Sequence, residues 1–130
     1  MRLLALDIGL RNTGVAFGET KSGIVMALST LHHDSESELA KKILSIVQSK
    51  EIDHLIIGLP LLPNGAEGEQ ASLVRKAATS IENVAGLKAE FLDERYTTNI
   101  HRMAQGSDPD ATAACALLTV KMDQKNHIDI

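Results

Sequence analysis

The 130-residue sequence is poor in aromatic residues and cysteine, and each shortage excludes a class of protein. With no tryptophan, two phenylalanines and one tyrosine, it cannot form a stacking platform for single-stranded nucleic acid. A single cysteine, Cys115, excludes an intrachain disulfide. No apolar run approaches the roughly 18–20 residues of a transmembrane helix, and Asp7 interrupts the first apolar stretch too early for a signal peptide. These absences favour a cytoplasmic protein.

Positive charge is also scarce. The 13 Lys and Arg against 17 Asp and Glu give a formal net charge of −4, which excludes a binder that relies on general attraction to nucleic acid. What is present is the composition of a globular protein, with 44% hydrophobic and 23% charged residues. The length suits one domain, so we expect residues 1–130 to fold as a single domain.

The order of apolar runs and turn signals predicts an α/β fold. The predicted elements, in chain order, are strands at 2–8, 14–18 and 23–28, a helix after the capping box at Ser35, a strand at 54–58, a helix from Glu69 to Gly86, a strand at 88–92 and a helix from Pro109. The first three strands form an antiparallel meander. The later two are expected to be parallel, since the run at 54–58 is almost wholly apolar, as is typical of a strand buried on both faces. We therefore expect a mixed five-stranded sheet flanked by helices, in the order βββαβαβα.

Acidic residues stand at the ends of three of these elements: Asp7 at the end of the first strand, the charged run Asp93-Glu94-Arg95 after the last strand and Asp110 in the first turn of the last helix. Each has a purely structural alternative, which is a turn cap for Asp7, a solvated edge or an internal ion pair for the run at 93–95 and a helix-dipole charge for Asp110. Together they supply the hard oxygen ligands that Mg²⁺ prefers, and two such ions can stabilise an in-line displacement at phosphorus. Two divalent ions would also cancel the formal charge of −4.

Several stretches of the sequence, in order and over most of the chain, resemble the YqgF/RuvX family of Holliday junction resolvases and pre-16S rRNA processing nucleases. They are LALDIGLRNTGVA at 4–16, IGLP at 57–60 with NG at 64–65 and EG at 67–68, VRK at 74–76, LDERYTT at 92–98 and DATAA at 110–114. The resemblance implies an RNase H-like fold. It also implies a metal-dependent endonuclease that uses Mg²⁺ or Mn²⁺, with two ions, to cut structured RNA or branched DNA.

The resemblance further implies a role for particular residues. Catalytic metal ligands fall on Asp7, Glu94 and Asp110, and contacts to nucleic acid fall on Arg11, Asn64, Arg75, Arg95 and Thr98. Pre-ribosomal particles are an implied partner. Paired cutting of a symmetric junction would favour a homodimer.

Some alternatives stay open at this point. Glu94 is expected two strands away from Asp7, about 10 Å before side chains are counted, so Glu67 or Glu69 could be the third acidic ligand instead. His101 is a candidate proton shuttle. A second interpretation, favoured by the negative charge and the few aromatics, is a non-catalytic nucleic-acid-binding or adaptor module on the same fold. A third interpretation is a nucleotide-binding protein, because the turn from Asp7 to Gly14 resembles the phosphate turn of actin-like ATPases and sugar kinases. Those proteins use two domains of this kind.

Overall fold

The computed structural model of the chain describes residues 1–94 and 109–128, with side chains described for 1–94 and 113–123. The elements of these residues are β1 (Arg2–Ile8), β2 (Asn12–Glu19), β3 (Ile24–Ala27), β4 (Leu31–His32), α1 (Glu36–Lys50), β5 (His54–Leu59), α2 (Glu69–Ala85), β6 (Ala89–Asp93) and α3 (Pro109–Ile128).

The strands form one mixed sheet in the order β3-β2-β1-β5-β6, with β4 paired to β2 beside this path. The meander β1-β2-β3 is antiparallel, whereas β1, β5 and β6 are parallel neighbours. The predicted fold class is confirmed, with one addition. Strand β4 has two residues, too short for an alternating pattern, and it forms because His32 and Leu31 pair with the start of β2. The single-domain assignment stays a prediction.

The helices begin and end where the sequence signals lie. The Ser35 hydroxyl accepts a hydrogen bond from the Glu38 backbone N–H at 3.1 Å, which caps the first turn of α1. Gly86 ends α2 in the left-handed conformation, at φ 73°, which glycine adopts without a steric cost. Within the described residues, no helix combines the length and the apolar character that a membrane span needs.

The sheet has an apolar core on each face, because successive side chains of a strand point to opposite sides. On one face, α1 and α2 pack against Leu4, Leu6 and Ile8 of β1. On the other, Leu3 and Ala5 of β1 pack against α3. The same alternation places position 7 on the α3 face. The two faces of β1 therefore differ at this end of the strand: one is apolar from Leu4 to Ile8, and the other ends in an acid.

A buried polar pair joins β2 to the segment after β4. The Thr13 hydroxyl lies 2.8 Å from Nε2 of His33, and both side chains are buried. Burial lowers the pKa of His33 below its usual 6.5, so the ring is neutral at pH 7. The hydroxyl can donate or accept, so it satisfies either tautomer of the ring.

Thr13→Val should therefore lower the free energy of unfolding by about 1–3 kcal/mol, because valine leaves a buried ring nitrogen without its partner. Urea denaturation at pH 7 measures the change. Thr79→Val is the control, since Thr79 is exposed on α2 and its hydroxyl donates only to the Arg75 carbonyl. Equal effects of the two substitutions would show that the Thr13–His33 pair contributes nothing particular.

Candidate active site

The acids Asp7 and Glu94 converge at the edge of the sheet where the three parallel strands end. Asp7 is the next-to-last residue of β1, and Glu94 directly follows β6. Strand β5 lies between them, with Ile57 paired to Leu6 on one side and Gly58 paired to Leu92 on the other. Positions 92 and 94 lie on the same face, and Leu92 packs in the α3 core, so Glu94 lies on the α3 face as Asp7 does.

The two carboxyl groups touch despite the intervening strand. The pKa of Glu94 is raised to about 8, first by burial and then by a hydrogen bond with Asp7 and the charges of Asp7 and Asp93. A carboxyl that is protonated at neutral pH donates to its neighbour, so the pair holds one proton in place of two like charges. Such a pair also suits a divalent cation, which would replace the shared proton and offset both charges.

The third predicted ligand, Asp110, belongs to the first turn of α3, the helix that covers this face. Its side chain lies outside the described residues. Among the side chains that the structure does describe, no group of three or more Asp, Glu, His or Cys is placed to hold a metal ion. The described part of the site is thus a pair of acids, and the chemistry of this pair fits a hard divalent cation.

A cleft of about 370 Å³ opens at the acidic pair. Asp7 and Glu94 line it together with Leu10, Pro60 and Glu69. Glu67, the other alternative ligand, does not line this cleft and accepts two hydrogen bonds from Arg75, with Nε to Oε1 at 2.6 Å and Nη2 to Oε2 at 2.8 Å. This contact lowers the pKa of Glu67. Of the two alternatives, Glu69 therefore has the access that a ligand needs.

The predicted nucleic-acid contacts lie in different surroundings. Arg11 is exposed beside the β1–β2 turn, and its guanidinium has no partner among the described residues. The Asn64 side chain accepts a hydrogen bond from Ala66 N–H within its own loop. The Arg75 guanidinium is paired with Glu67 and lies 4.8 Å from the ring centre of Phe91. Arg95 and Thr98, and the proton-shuttle candidate His101, lie outside the described residues.

A second cleft, of about 360 Å³, lies next to the first and is lined by a lysine that is not among the predicted nucleic-acid contacts. The two clefts share Ile8, Gly9, Leu10 and Leu73. The second is also lined by Lys76. The helical spacing could have identified Lys76, because it lies three residues after Leu73 on the same side of α2, whereas Arg75 lies about 160° around the helix from Leu73.

The model of the RuvX family, described as a Holliday junction resolvase, matches residues 1–124 of this chain. A relative from Roseiflexus sp. (strain RS-1), named "Putative pre-16S rRNA nuclease", is 34% identical over 97 residues, which cover 75% of this chain and 69% of the relative. A relative of the same name from Rickettsia peacockii (strain Rustic) is 28% identical over 136 residues, covering 97% and 88%.

Among solved structures, Thermus thermophilus RuvC in complex with a Holliday junction substrate has a TM-score of 0.69. It is 12% identical, with 97% of this chain and 96% of that chain covered. At this identity the likeness confirms the RNase H-like fold and nothing further. A resolvase family of this kind implies dependence on divalent metal ions in general. From the family match over residues 1–124 and the relative at 34% identity, we conclude that the chain belongs to the RuvX (YqgF) family, whose members are nucleases, hydrolases that act on nucleic acid.

Proposed function

We propose that the chain is a metal-dependent endonuclease that hydrolyses phosphodiester bonds in structured nucleic acid. The single observation that carries this proposal is the contact between the Asp7 and Glu94 carboxyl groups at the mouth of an open cleft. Two acids forced together in a partly buried place destabilise the metal-free protein, and a site that binds cations accounts for this arrangement. Mg²⁺ or Mn²⁺, as two ions, is the proposed cofactor.

In this proposal Asp7, Glu94 and Asp110 hold the ions. When bound, divalent cations lower the pKa of water and stabilise charge on the phosphate oxygens. The chain's own contribution is to hold the carboxylates together before substrate arrives. The exposed side chain of Leu10 and the ring of Pro60 form the walls beside them, where they restrict the approach of the substrate.

The substrate is proposed to be either the 5′ end of pre-16S rRNA or a Holliday junction. The Roseiflexus and Rickettsia relatives carry the first name, and the family description carries the second. A pre-ribosomal particle would then be a partner for RNA cutting. Paired cuts in a junction need two active sites related by a two-fold axis, which favours a homodimer. The cytoplasmic location stays a prediction that suits either substrate.

Cleavage of two labelled substrates tests the proposal: a synthetic four-way DNA junction and an RNA that spans the 5′ end of 16S rRNA. Each is incubated with the protein and Mg²⁺, Mn²⁺ or EDTA. We expect cutting of one substrate in the presence of a metal ion and none in EDTA. If neither substrate is cut, and binding is the same in EDTA, the protein is a non-catalytic binding module and the proposal fails.

The contact to the phosphate backbone is proposed to involve Arg11, and Arg11→Gln should weaken binding of a non-cleavable substrate about fivefold to tenfold. The slope of log K against log salt should fall by about one, the signature of one lost phosphate contact. Fluorescence anisotropy at several salt concentrations measures both quantities.

Arg75→Gln is the matched control for Arg11→Gln. Its guanidinium is already neutralised by Glu67, so we expect the salt slope to stay at the wild-type value. If the slope of log K against log salt fell by one in Arg75→Gln and stayed unchanged in Arg11→Gln, the phosphate contact would belong to Arg75.

A further inference from the structure

We propose that Gly58 is a positioning residue, which keeps open the gap that the Glu94 side chain uses to cross strand β5 and reach Asp7. This inference rests on the proposed function of the acidic pair as a metal-binding site. It concerns a residue that makes no contact with a metal ion itself.

The problem that Gly58 solves is one of distance. Asp7 lies on β1 and Glu94 follows β6, so the two backbones are separated by the whole width of β5. Two inter-strand spacings amount to about 10 Å. A glutamate side chain can span this gap only if it lies flat across the middle strand, where a side chain of β5 would normally project.

Gly58 is the residue of β5 at that place. A Cβ atom built on Gly58 would lie 2.5 Å from Oε1 of Glu94 and 2.8 Å from its Cγ. Both distances are too short for non-bonded heavy atoms, because a Cβ atom essentially never lies within 3.0 Å of one. The Glu94 side chain therefore occupies the space that any other residue at position 58 would fill.

Backbone conformation does not explain this glycine. The described glycines with positive φ are Gly23, Gly65 and Gly86, and Gly58 is absent from this set. A glycine in a strand interior weakens the strand and often marks a close approach of another group. Here the group that approaches is the Glu94 carboxyl, so the requirement at position 58 is for space alone.

A substitution at Gly58 should therefore disrupt the acidic pair without preventing the chain from folding. In Gly58→Ala the methyl group meets the end of a flexible side chain at a strand terminus, and Glu94 can rotate away from the sheet. The third contact, with Cδ1 of Leu117 at 3.0 Å, needs a shift of only a few tenths of an ångström in that side chain. We therefore expect a folded protein in which the Glu94 carboxylate no longer reaches Asp7.

The experiment compares Gly58→Ala with Gly18→Ala. Gly18 is also a buried strand glycine that faces α3, where a Cβ atom would lie 3.3 Å from Cδ1 of Leu118, and none of the atoms near that position belongs to Glu94. Thermal unfolding in EDTA, Mn²⁺ affinity by calorimetry and cleavage are measured for both. We expect both variants to unfold within a few degrees of the wild type. Only Gly58→Ala should bind Mn²⁺ about 10- to 100-fold more weakly and cleave about 100-fold more slowly.

A double variant tests whether Gly58 acts through Glu94. If it does, adding Gly58→Ala to Glu94→Gln should have almost no further effect on Mn²⁺ affinity or cleavage, because the carboxylate is already lost. Additive losses would overturn the proposal, as would wild-type Mn²⁺ affinity in Gly58→Ala. If Gly58→Ala does not fold, the same measurements are made in a Leu117→Val background, since valine has no Cδ atom to meet the new methyl group.

The crystal structure of Gly58→Ala separates this inference from the proposed function. We expect the Glu94 carboxyl to be turned away from Asp7, and an unchanged Asp7–Glu94 contact would contradict the inference even if the protein is a nuclease. Conversely, if Asp7→Asn cleaves at the wild-type rate, the proposed site fails whatever position Glu94 takes in the variant.

Discussion

Asp7→Asn should abolish cleavage, by a factor on the order of 10³ or more, while the protein stays folded. Asparagine has nearly the same shape as aspartate but lacks the negative charge that a divalent cation needs. The substitution also removes the charge of Asp7, which together with that of Asp93 disfavours ionisation of Glu94. The variant should therefore unfold at the same temperature as the wild type or at a higher one, which separates loss of chemistry from loss of structure.

The control is Asp53→Asn. Asp53 is exposed and accepts a hydrogen bond from the Arg2 N–H at 2.8 Å, at the opposite end of the parallel strands. We expect its cleavage rate to stay within about twofold of the wild type, as for most exposed positions outside a site. Glu94→Gln should match Asp7→Asn, and the double variant should be no worse than either, since the acids act as one unit.

Glu69→Gln tests whether Glu69 is a metal ligand in place of Glu94, because Glu69 lines the same cleft. If Glu94 is the ligand, this variant should lose far less activity than Glu94→Gln. The opposite order, with Glu69→Gln inactive and Glu94→Gln active, would transfer the role to Glu69. Substantial cleavage by Asp7→Asn would contradict the site as a whole.

The metal-free protein should become less stable as the pH rises from about 4.5 to about 8. The pKa of Glu94 is about 8 in the folded chain against the ordinary value of 4.5, so between these values the folded state binds more protons than the unfolded state. Its contribution to the free energy of unfolding is fully present below pH 4.5 and is lost as the pH rises through 8. We expect a loss of roughly 1–3 kcal/mol, because the carboxyl is only partly buried.

Urea denaturation in EDTA between pH 5 and 8.5, on the wild type and on Glu94→Gln, measures this effect. Glutamine cannot ionise, so the variant should lose the decline with pH and be the more stable of the two at pH 8. His33 contributes a slope of the opposite sign below pH 6.5, since burial lowers its pKa, but both proteins share it and the difference between them removes it. Identical slopes would show that Glu94 is not protonated in the folded protein.

Much of the fold could be predicted because each signal is local. The capping box at Ser35, Gly86 after α2 and the apolar spacing of the helices depend only on neighbours in the chain. Strand β4 could not be predicted, since two residues carry no periodicity and Leu31 and His32 become a strand only by pairing with β2.

The candidate site shows where sequence reasoning stops. The alternation of β1 places Asp7 on the same face as Leu3 and Ala5, which follows from the strand pattern alone. That α3 covers this face is seen only in the structure. Backbone spacing left it open whether Glu94 can reach Asp7, and in the structure its side chain reaches Asp7 across the space beside Gly58, which has no side chain. The role of Glu94 as a metal ligand stays a prediction. The pairing of Arg75 with Glu67 depends on the path of the intervening loop, so no pattern in the chain could indicate it.

A crystal structure of the protein soaked in Mn²⁺, with an anomalous difference map, tests the central claim most directly. We expect Mn²⁺ in contact with the carboxylates of both Asp7 and Glu94, the proton between them displaced, and the Asp110 carboxylate as the third protein ligand. Mn²⁺ bound elsewhere, with the Asp7–Glu94 hydrogen bond intact at saturating metal, would contradict the assignment of this acidic pair as the catalytic centre.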